Sequence, residues 1–405
     1  MDKTTTPLHD GSRFSRRVRN LMGSEIFRIG SLAQALREEG REILRLDAGE
    51  PDFATPAPII RAAKQALDEG YTRYTPISGL PGLKQAIRNK LRRDNNLYYD
   101  DDEVMATCGA KQAIFSAYMS LLGPGDEVIL PSPCWGTYPA IAQIAGARIV
   151  HAPTRMEEGF VLTPETLAEC ITPRTRLLVL NSPANPTGQV YSREALSALA
   201  NVLLEHEQVF VLSDDIYEHL RFNREPYANI VNVSPSLKRR TVLINGVSKA
   251  YAMTGWRVGF AAGPADLITE MTELQGQTNA HTAAVAQKAA EAALNSGLSV
   301  VNEMVNAFAS RAAQIDEGLM KIPAIRCLRA QGSFYCLPDF SAVIDSLDGV
   351  RDDCAFADWL LEELGIAMIP GSSFGAPGHM RLSFAADENT LDEGLTRLRK
   401  AFAHL

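Results

Sequence analysis

"TVLINGVSKAYAMTGWRVGF", residues 241–260, sets two apolar runs on either side of a small polar turn. The first run, Thr-Val-Leu-Ile, is short and β-branched and reads as a buried strand. It ends at Asn245-Gly246 and then presents one lysine, Lys249, with Arg257 eight residues further on, just before the second run. A lone lysine is normally a surface residue, so its meaning depends on whether other strands end in the same way. They do. "EVIL" (127–130), "ARIV" (147–150), "LLVL" (177–180) and "VFVL" (209–212) are equally short and apolar. They are separated by stretches of helical period such as Ser192–His206 and Gly109–Leu122, the latter following a strand candidate, "EVMATC". Strands buried on both faces and alternating with helices, from about 103 to 263, predict a doubly wound α/β unit with a mainly parallel sheet.

Outward from that unit the texture changes. After residue 297 a long helix (Leu298–Met320) leads to short strands around "AIRCLRA", "SFYCLPDF", "GIAMIP" and "HMRLSF", and to a closing helix from Thr390. A helix over Glu25–Glu39 precedes the large unit. We therefore expect a smaller α+β domain built from both chain ends, residues 1–48 and 298–405, around a large domain, 49–297.

Composition narrows the function. The 405 residues are 46% hydrophobic and 22% charged, with a formal net charge of −8 and no long basic run, which argues against nucleic acid as a partner. The opening "MDKTTTPLHDGS" is polar, contains no apolar leader core and is expected to be loosely ordered, and no later stretch approaches the length of a membrane span. Six cysteines without a CxxC pair and seven histidines without HExxH read as reduced thiols of a cytoplasmic protein with no metal site.

In open parallel sheets ligands bind beyond the carboxyl ends of the strands. Here those ends run into "PSPCWGTYP", "NSPANPTG", "SDDIYEHL" and "NGVSK", and "EVMAT" runs into "CGAKQA". The fold would bring Trp135, Asn185, Asp214, Tyr217, Lys249 and a helix start at Gly109–Ala110–Lys111 to one edge. The helix start favours a phosphate, which Ser248 and Arg257 could help to hold. An indole stacks on a planar ring, a lysine amine forms a Schiff base with an aldehyde, a carboxylate keeps a pyridine nitrogen protonated, and a phenol and an amide can hydrogen-bond a ring hydroxyl. Phosphate, pyridine, aldehyde and hydroxyl together describe pyridoxal 5′-phosphate.

With "LDAGEPDF" (46–53), "YTPISGLPGL" (74–83) and "MRLSF" (380–384), these motifs stand in one order from about Arg13 to the C-terminus. In that order the chain resembles the pyridoxal-phosphate-dependent fold-type I aminotransferases of class I/II, and within them the bacterial aspartate aminotransferase branch. The resemblance implies that Lys249 carries the cofactor and moves the substrate proton. It implies that Asp214, rather than Asp215, holds the ring nitrogen, with Tyr217 and Asn185 on the ring oxygen, Trp135 stacked on the ring, and Gly109, Ala110, Lys111, Ser248 and Arg257 around the phosphate. Asp215 would point away, as a surface or supporting acid. Arg381 would clamp the substrate α-carboxylate beside the Gly49 backbone and the "PGSSFG" loop (370–375). Asn185 and Trp135 would also reach the substrate. Tyr74 would serve the phosphate of a second subunit, which implies a homodimer with shared sites, whereas Ala280 and His281 depart from the commoner pattern at the interface.

The implied reaction moves an amino group from an L-amino acid, aspartate or another acidic donor, to a 2-oxo acid such as 2-oxoglutarate in a ping-pong cycle. Lys111 is the candidate for the distal carboxylate, with Phe27 or Arg28 as further pocket residues. Aromatic, prephenate or alanine-type specificity, or a β-lyase reaction on the same fold, are the alternatives. A regulator's ligand-binding domain is a remoter one, since the short N-terminus leaves no room for a helix-turn-helix.

Overall fold

The computed structural model describes residues 15, 17, 21, 25–223 and 226–405. "MDKTTTPLHDGS" and Arg13 lie outside the described residues. The described strands are β1 (Leu44–Arg45), β2 (Val104–Thr107), β3 (Glu127–Ser132), β4 (Arg148–Pro153), β5 (Thr175–Asn181), β6 (Phe210–Asp214), β7 (Thr241–Gly246), β8 (Gly259–Ala262), β9 (Tyr335–Cys336), β10 (Ile366–Ala367), β11 (Ile369–Pro370) and β12 (Met380–Ser383).

Seven of them form one sheet in the order β2-β8-β7-β6-β5-β3-β4. The pairs β3–β4, β3–β5, β5–β6 and β6–β7 are parallel, and β8 runs antiparallel to both β2 and β7. The expected mainly parallel sheet is therefore present, with β8, the second apolar run of the opening stretch, inserted against the grain. Period two accounts for the layers on either side. Met105, Val128, Leu130, Leu177, Val179, Leu212, Val242 and Ile244 pack into one apolar core, while Val104, Ala106, Ile129, Leu178, Leu180, Val211 and Leu243 pack into another on the opposite face. Consecutive residues of one strand thus serve two cores, which is why the strands carry no polar face.

The helix starting at Ala110 follows β2 through a two-residue turn, Cys108-Gly109, as "EVMATCGAKQA" requires. The N-terminal helix ends at Glu38 and the closing helix spans Glu388–Phe402. Near the chain ends the strands shrink to two to four residues: β1 pairs parallel with β10, and β12 lies between β11 and β9. The strand expected around "AIRCLRA" is absent, and only an isolated bridge, Arg326 to Asp339, stands there. Arg326 instead directs its side chain to Asp339, 2.7 Å away. The β1–β10 pairing and the Leu46 amide on the Ala367 carbonyl (3.1 Å) tie the N-terminal segment to the C-terminal unit.

Candidate active site

The carboxyl ends of β5 and β6 are laced together before any side chain reaches the cleft. The Asn181 amide donates to the Asp214 carbonyl (2.9 Å), and its side-chain oxygen accepts from the Asn185 amide nitrogen (2.9 Å). The segment after β6 turns back at once: Ile216 N–H donates to the Asp214 carboxylate at 3.3 Å. Asp214 and Asn185 are thereby fixed, both buried, at adjacent strand ends.

Asp214 accepts a 2.7 Å hydrogen bond from the Tyr138 hydroxyl. Burial pushes its acid up to about 6, although Tyr138, the Ile216 amide and Lys249 all favour the ionised form. A carboxylate so short of solvent is suited to a cationic N–H partner. Asp215 is not a surface acid. It is 3% exposed, accepts from Ser213 Oγ (2.6 Å) and Asn229 Nδ2 (2.9 Å), and is pushed up to about 7 by burial and by the nearby Glu218. Its two oxygens are engaged by Ser213 and Asn229, whereas Asp214 is held by Tyr138 and the Ile216 amide.

Lys249 sits just beyond β7 with its Nζ 5.5 Å from the Phe334 ring centroid and 5.9 Å from that of Tyr217. Its ammonium donates to the Gly49 carbonyl at 2.5 Å. Burial, and then the Arg381 charge, lower the amine to about 8. A lysine so placed gives up its proton more readily than a surface lysine, and so supplies more of the neutral, nucleophilic amine. Tyr217 is buried edge-on to Phe334 and Tyr335, and burial holds its phenol well above the usual range.

Gly109 is the position where a side chain would close the cleft: φ is +82°, and a Cβ there would collide with Arg257 Nη2. A Cβ on Gly259 would likewise collide with the Ala110 nitrogen. The two glycines let Arg257 and β8 press against the start of the helix Ala110–Leu121, whose first N–H groups have no side-chain cap. Arg257 is steadied by a 2.9 Å bond to the Thr254 carbonyl, and Ser248 is buried beside Lys249. Open helix amides, a guanidinium and a hydroxyl suit a phosphate. Next to them the Lys111 ammonium stands 4.9 Å over the Trp135 ring, and burial followed by the Arg257 charge lowers its pKa. Trp135 packs edge-on to Tyr138, 5.5 Å between centroids. The donor set thus fits pyridoxal phosphate at both ends, with amides and cations for the phosphate and a buried acid for the ring nitrogen.

Arg381, on β12, is 1% exposed. Its guanidinium stands 4.4 Å from the Tyr335 ring centroid and 5.0 Å from that of Phe374. Nη1 donates to Asn185 Oδ1 (3.2 Å) and Nη2 to the Asp47 carbonyl (3.0 Å), while Nε has no partner. It forms no ion pair among the described residues, although buried charges are normally paired. Phe374 belongs to the "PGSSFG" loop, tied to the Trp135 segment by Cys134 N–H on the Phe374 carbonyl (2.9 Å).

The structure gathers the expected site residues at this edge, apart from Tyr74 and Arg28. The Tyr74 side chain is 92% exposed and edge-on to His281, which also accepts from the Thr75 amide (3.2 Å), so His281 supports the Tyr74 loop rather than standing idle. Arg28 does not reach the site, because Glu25 and Asp358, each at 2.7 Å, hold it on the surface. Phe27 lies on a groove that ends at Gly49. Sequence reading missed Tyr138, Tyr335 and Asp47. Tyr138 lay three residues past Trp135 in a quoted motif, and Asp47 lay inside the quoted "LDAGEPDF", two residues after Arg45.

Among the described residues no helix is long and apolar enough to cross a membrane. The family model for aminotransferase class I and II matches residues 41–398. The aspartate/prephenate aminotransferase of Nitrosomonas europaea is 42% identical, over 95% of this chain and 98% of that protein. The aspartate aminotransferase of Geobacillus stearothermophilus is 42% identical, over 96% and 98%. Among solved structures, the aspartate aminotransferase from Rhizobium meliloti superposes with a TM-score of 0.93 at 40% identity, covering 97% of this chain and 99% of that one. The Thermus thermophilus aspartate aminotransferase with maleate gives 0.90 at 39%, covering 96% and 99%.

Proposed function

The chain belongs to the class I and II aminotransferase family, and on that premise we propose that it transfers the amino group of aspartate, or another acidic L-amino acid, to a 2-oxo acid such as 2-oxoglutarate, using pyridoxal 5′-phosphate. The observation that carries this reading is Arg381, a buried guanidinium that shares hydrogen bonds with Asn185 and a carbonyl but has no anionic partner among the described residues. An α-carboxylate supplies that partner, and a planar fork receives it bidentately. A second cation, Lys111, also outside any ion pair among the described residues, stands on the face of Trp135 and suits a second carboxylate.

When bound, pyridoxal phosphate supplies an aldehyde that takes up the amino group and a ring that withdraws electrons from the α-carbon. The Ala110 and Lys111 amides, Ser248 and Arg257 would hold its phosphate. Asp214, oriented by Tyr138 and the Ile216 amide, would keep a proton on the ring nitrogen. Tyr217 and Asn185 would hold the ring oxygen, and Trp135 would cover the ring face. Lys249 is the amine that would hold the aldehyde at rest; displaced by substrate, its Nζ takes the α-proton and returns it one carbon away. Its lowered pKa leaves more of the free amine to take that proton. Arg381 fixes the α-carboxylate and so aims the α-hydrogen at Lys249.

We read residues 49–297 as the unit that holds the cofactor, and 298–405 with the N-terminal segment as the unit that brings Arg381 over it; the β1–β10 pairing supports this division. Tyr74, exposed to 92% here, is read as a residue given to the partner's phosphate in a homodimer. Six free cysteines fit a cytoplasmic setting. The relatives named for both aspartate and prephenate, at 42% identity, favour prephenate as a second acceptor.

A donor screen tests the reading. With 2-oxoglutarate as acceptor, kcat/KM for aspartate should exceed that for alanine or phenylalanine by about ten-fold or more, the scale of one charge-assisted bond. A preference for either neutral donor would overturn acidic specificity while leaving the aminotransferase assignment intact.

A further inference from the structure

The guanidinium assigned to the substrate carboxylate has an acid for a neighbour. Asp47 is 3% exposed, and its own carbonyl is one of the two acceptors of Arg381. An acid this close could satisfy Arg381 and leave nothing for a substrate. It does not, because its carboxylate is fully engaged elsewhere. Arg45 Nε donates to Asp47 Oδ1 at 2.6 Å and Nη2 to Oδ2 at 2.9 Å, a two-point fork. The geometry follows from the strand: Arg45 closes β1 in register with Ala367, and residue 47 shares its side of the extended chain. Gly30 of the N-terminal helix fits over the pair, with a Cβ there lying 3.7 Å from both Arg45 Nη2 and Asp47 Oδ2. The Arg45 side chain retains 34% exposure on the wall of a groove of about 490 Å³ that runs from that helix to Gly49.

Two arginines and one carboxylate therefore share this corner, and the pairing decides which arginine stays unbalanced. We propose that Arg45 is a positioning residue for substrate binding: by holding the Asp47 carboxylate, it keeps Arg381 uncompensated and available to the substrate's carboxylate. The inference rests on Arg381 being the carboxylate site. Without Arg45, the Asp47 charge turns to Arg381 or cancels its field from close range. Either way the attraction for an incoming anion falls, by roughly ten-fold. The lysine and the phosphate-binding residues are not altered by this exchange, so the effect falls on KM far more than on kcat.

The test is calorimetric titration of the purified holoenzyme with succinate, a dicarboxylate that cannot react. Arg45→Gln should weaken succinate about ten-fold and raise KM for aspartate similarly, with kcat within about three-fold. Adding Asp47→Asn to Arg45→Gln removes the competing charge, and the double variant should bind succinate at least about three-fold tighter than Arg45→Gln alone. A purely structural pair would show no such rescue. If Arg45→Gln does not fold, Arg45→Lys with and without Asp47→Asn makes the same comparison, with a smaller loss and the same direction of rescue. Unchanged affinity in the Arg45 variant, or a double variant no tighter than the single, overturns the proposal. Arg381→Gln is measured alongside: wild-type succinate affinity in that protein would instead remove Arg381 as the carboxylate site.

Discussion

Replacing Asp214 with asparagine should make the cofactor-free protein more stable while it ruins the enzyme. The carboxyl group is 3% exposed, and burial raises its pKa from the ordinary 3.8 to about 6 despite the Tyr138 hydrogen bond. That rise corresponds to roughly 3 kcal/mol of disfavoured charge at 1.36 kcal/mol per pH unit. The sign follows from linkage. The folded pKa lies above the unfolded one, so the folded state binds the extra proton, and the contribution present below about pH 4 is lost as the pH rises through about 6. At pH 8 the wild-type apoprotein therefore carries a buried charge. The asparagine variant would not carry it, and the new amide's carbonyl oxygen can still accept from Tyr138. Urea unfolding of both apoproteins at pH 8 and pH 4.5 measures the difference. Asp214→Asn should gain about 1–3 kcal/mol at pH 8 and little or nothing at pH 4.5, whereas transamination by the reconstituted variant should fall by two to three orders of magnitude or thereabouts, on the scale of lost preorganised electrostatics. A loss of stability at pH 8, or a gain independent of pH, would refute the view of Asp214 as an acid held charged for a cationic partner.

Other substitutions separate binding from scaffolding. Lys111→Ala should lower kcat/KM for aspartate about ten-fold and leave alanine turnover nearly unchanged; equal losses in steady-state assays would assign Lys111 to the phosphate alone. The fully buried Lys90–Glu218 pair, joined by Asn95 Nδ2 (2.5 Å) and Asn245 Nδ2 (2.9 Å), fastens the segment after Tyr217 to the end of β7. Lys90→Met should cost roughly 3–5 kcal/mol because it strands a buried carboxylate, and adding Glu218→Met should recover most of that in urea unfolding. Mixing Tyr74→Phe with Lys249→Ala subunits should restore activity in verified hybrid dimers, and failure to do so would confine each site to one chain.

The sheet was legible because strands buried on both faces have no room for polar residues, so "LLVL" and "VFVL" announce themselves. Their polar sequels marked the cleft for the same reason: Asn185, Asp214 and Lys249 begin where the apolar run must stop. Pairing direction was not legible. "GFAA" reads alike in either sense, and only the folded pairing shows β8 running antiparallel between β2 and β7. The two-residue strands near the C-terminus leave no period to read, and "AIRCLRA" carries enough apolar character to imitate a strand that does not form. Sequence left Asp215 open as a surface or a supporting acid because its partners, Ser213 and Asn229, acquire meaning only after folding. Asp47 reaches Arg381 only when the two chain ends meet, a contact that spans 334 positions. Local pattern cannot encode such a distance.

The central claim is that Lys249 is the amine that holds the cofactor and yields it to an acidic substrate. Borohydride reduction of the holoenzyme followed by peptide mass mapping reads this directly. The account predicts a phosphopyridoxyl group on the peptide containing Lys249, and its disappearance when aspartate is added before the reductant. The same label on Lys111 or any other lysine, or labelling of Lys249 that saturating aspartate leaves untouched, would contradict it.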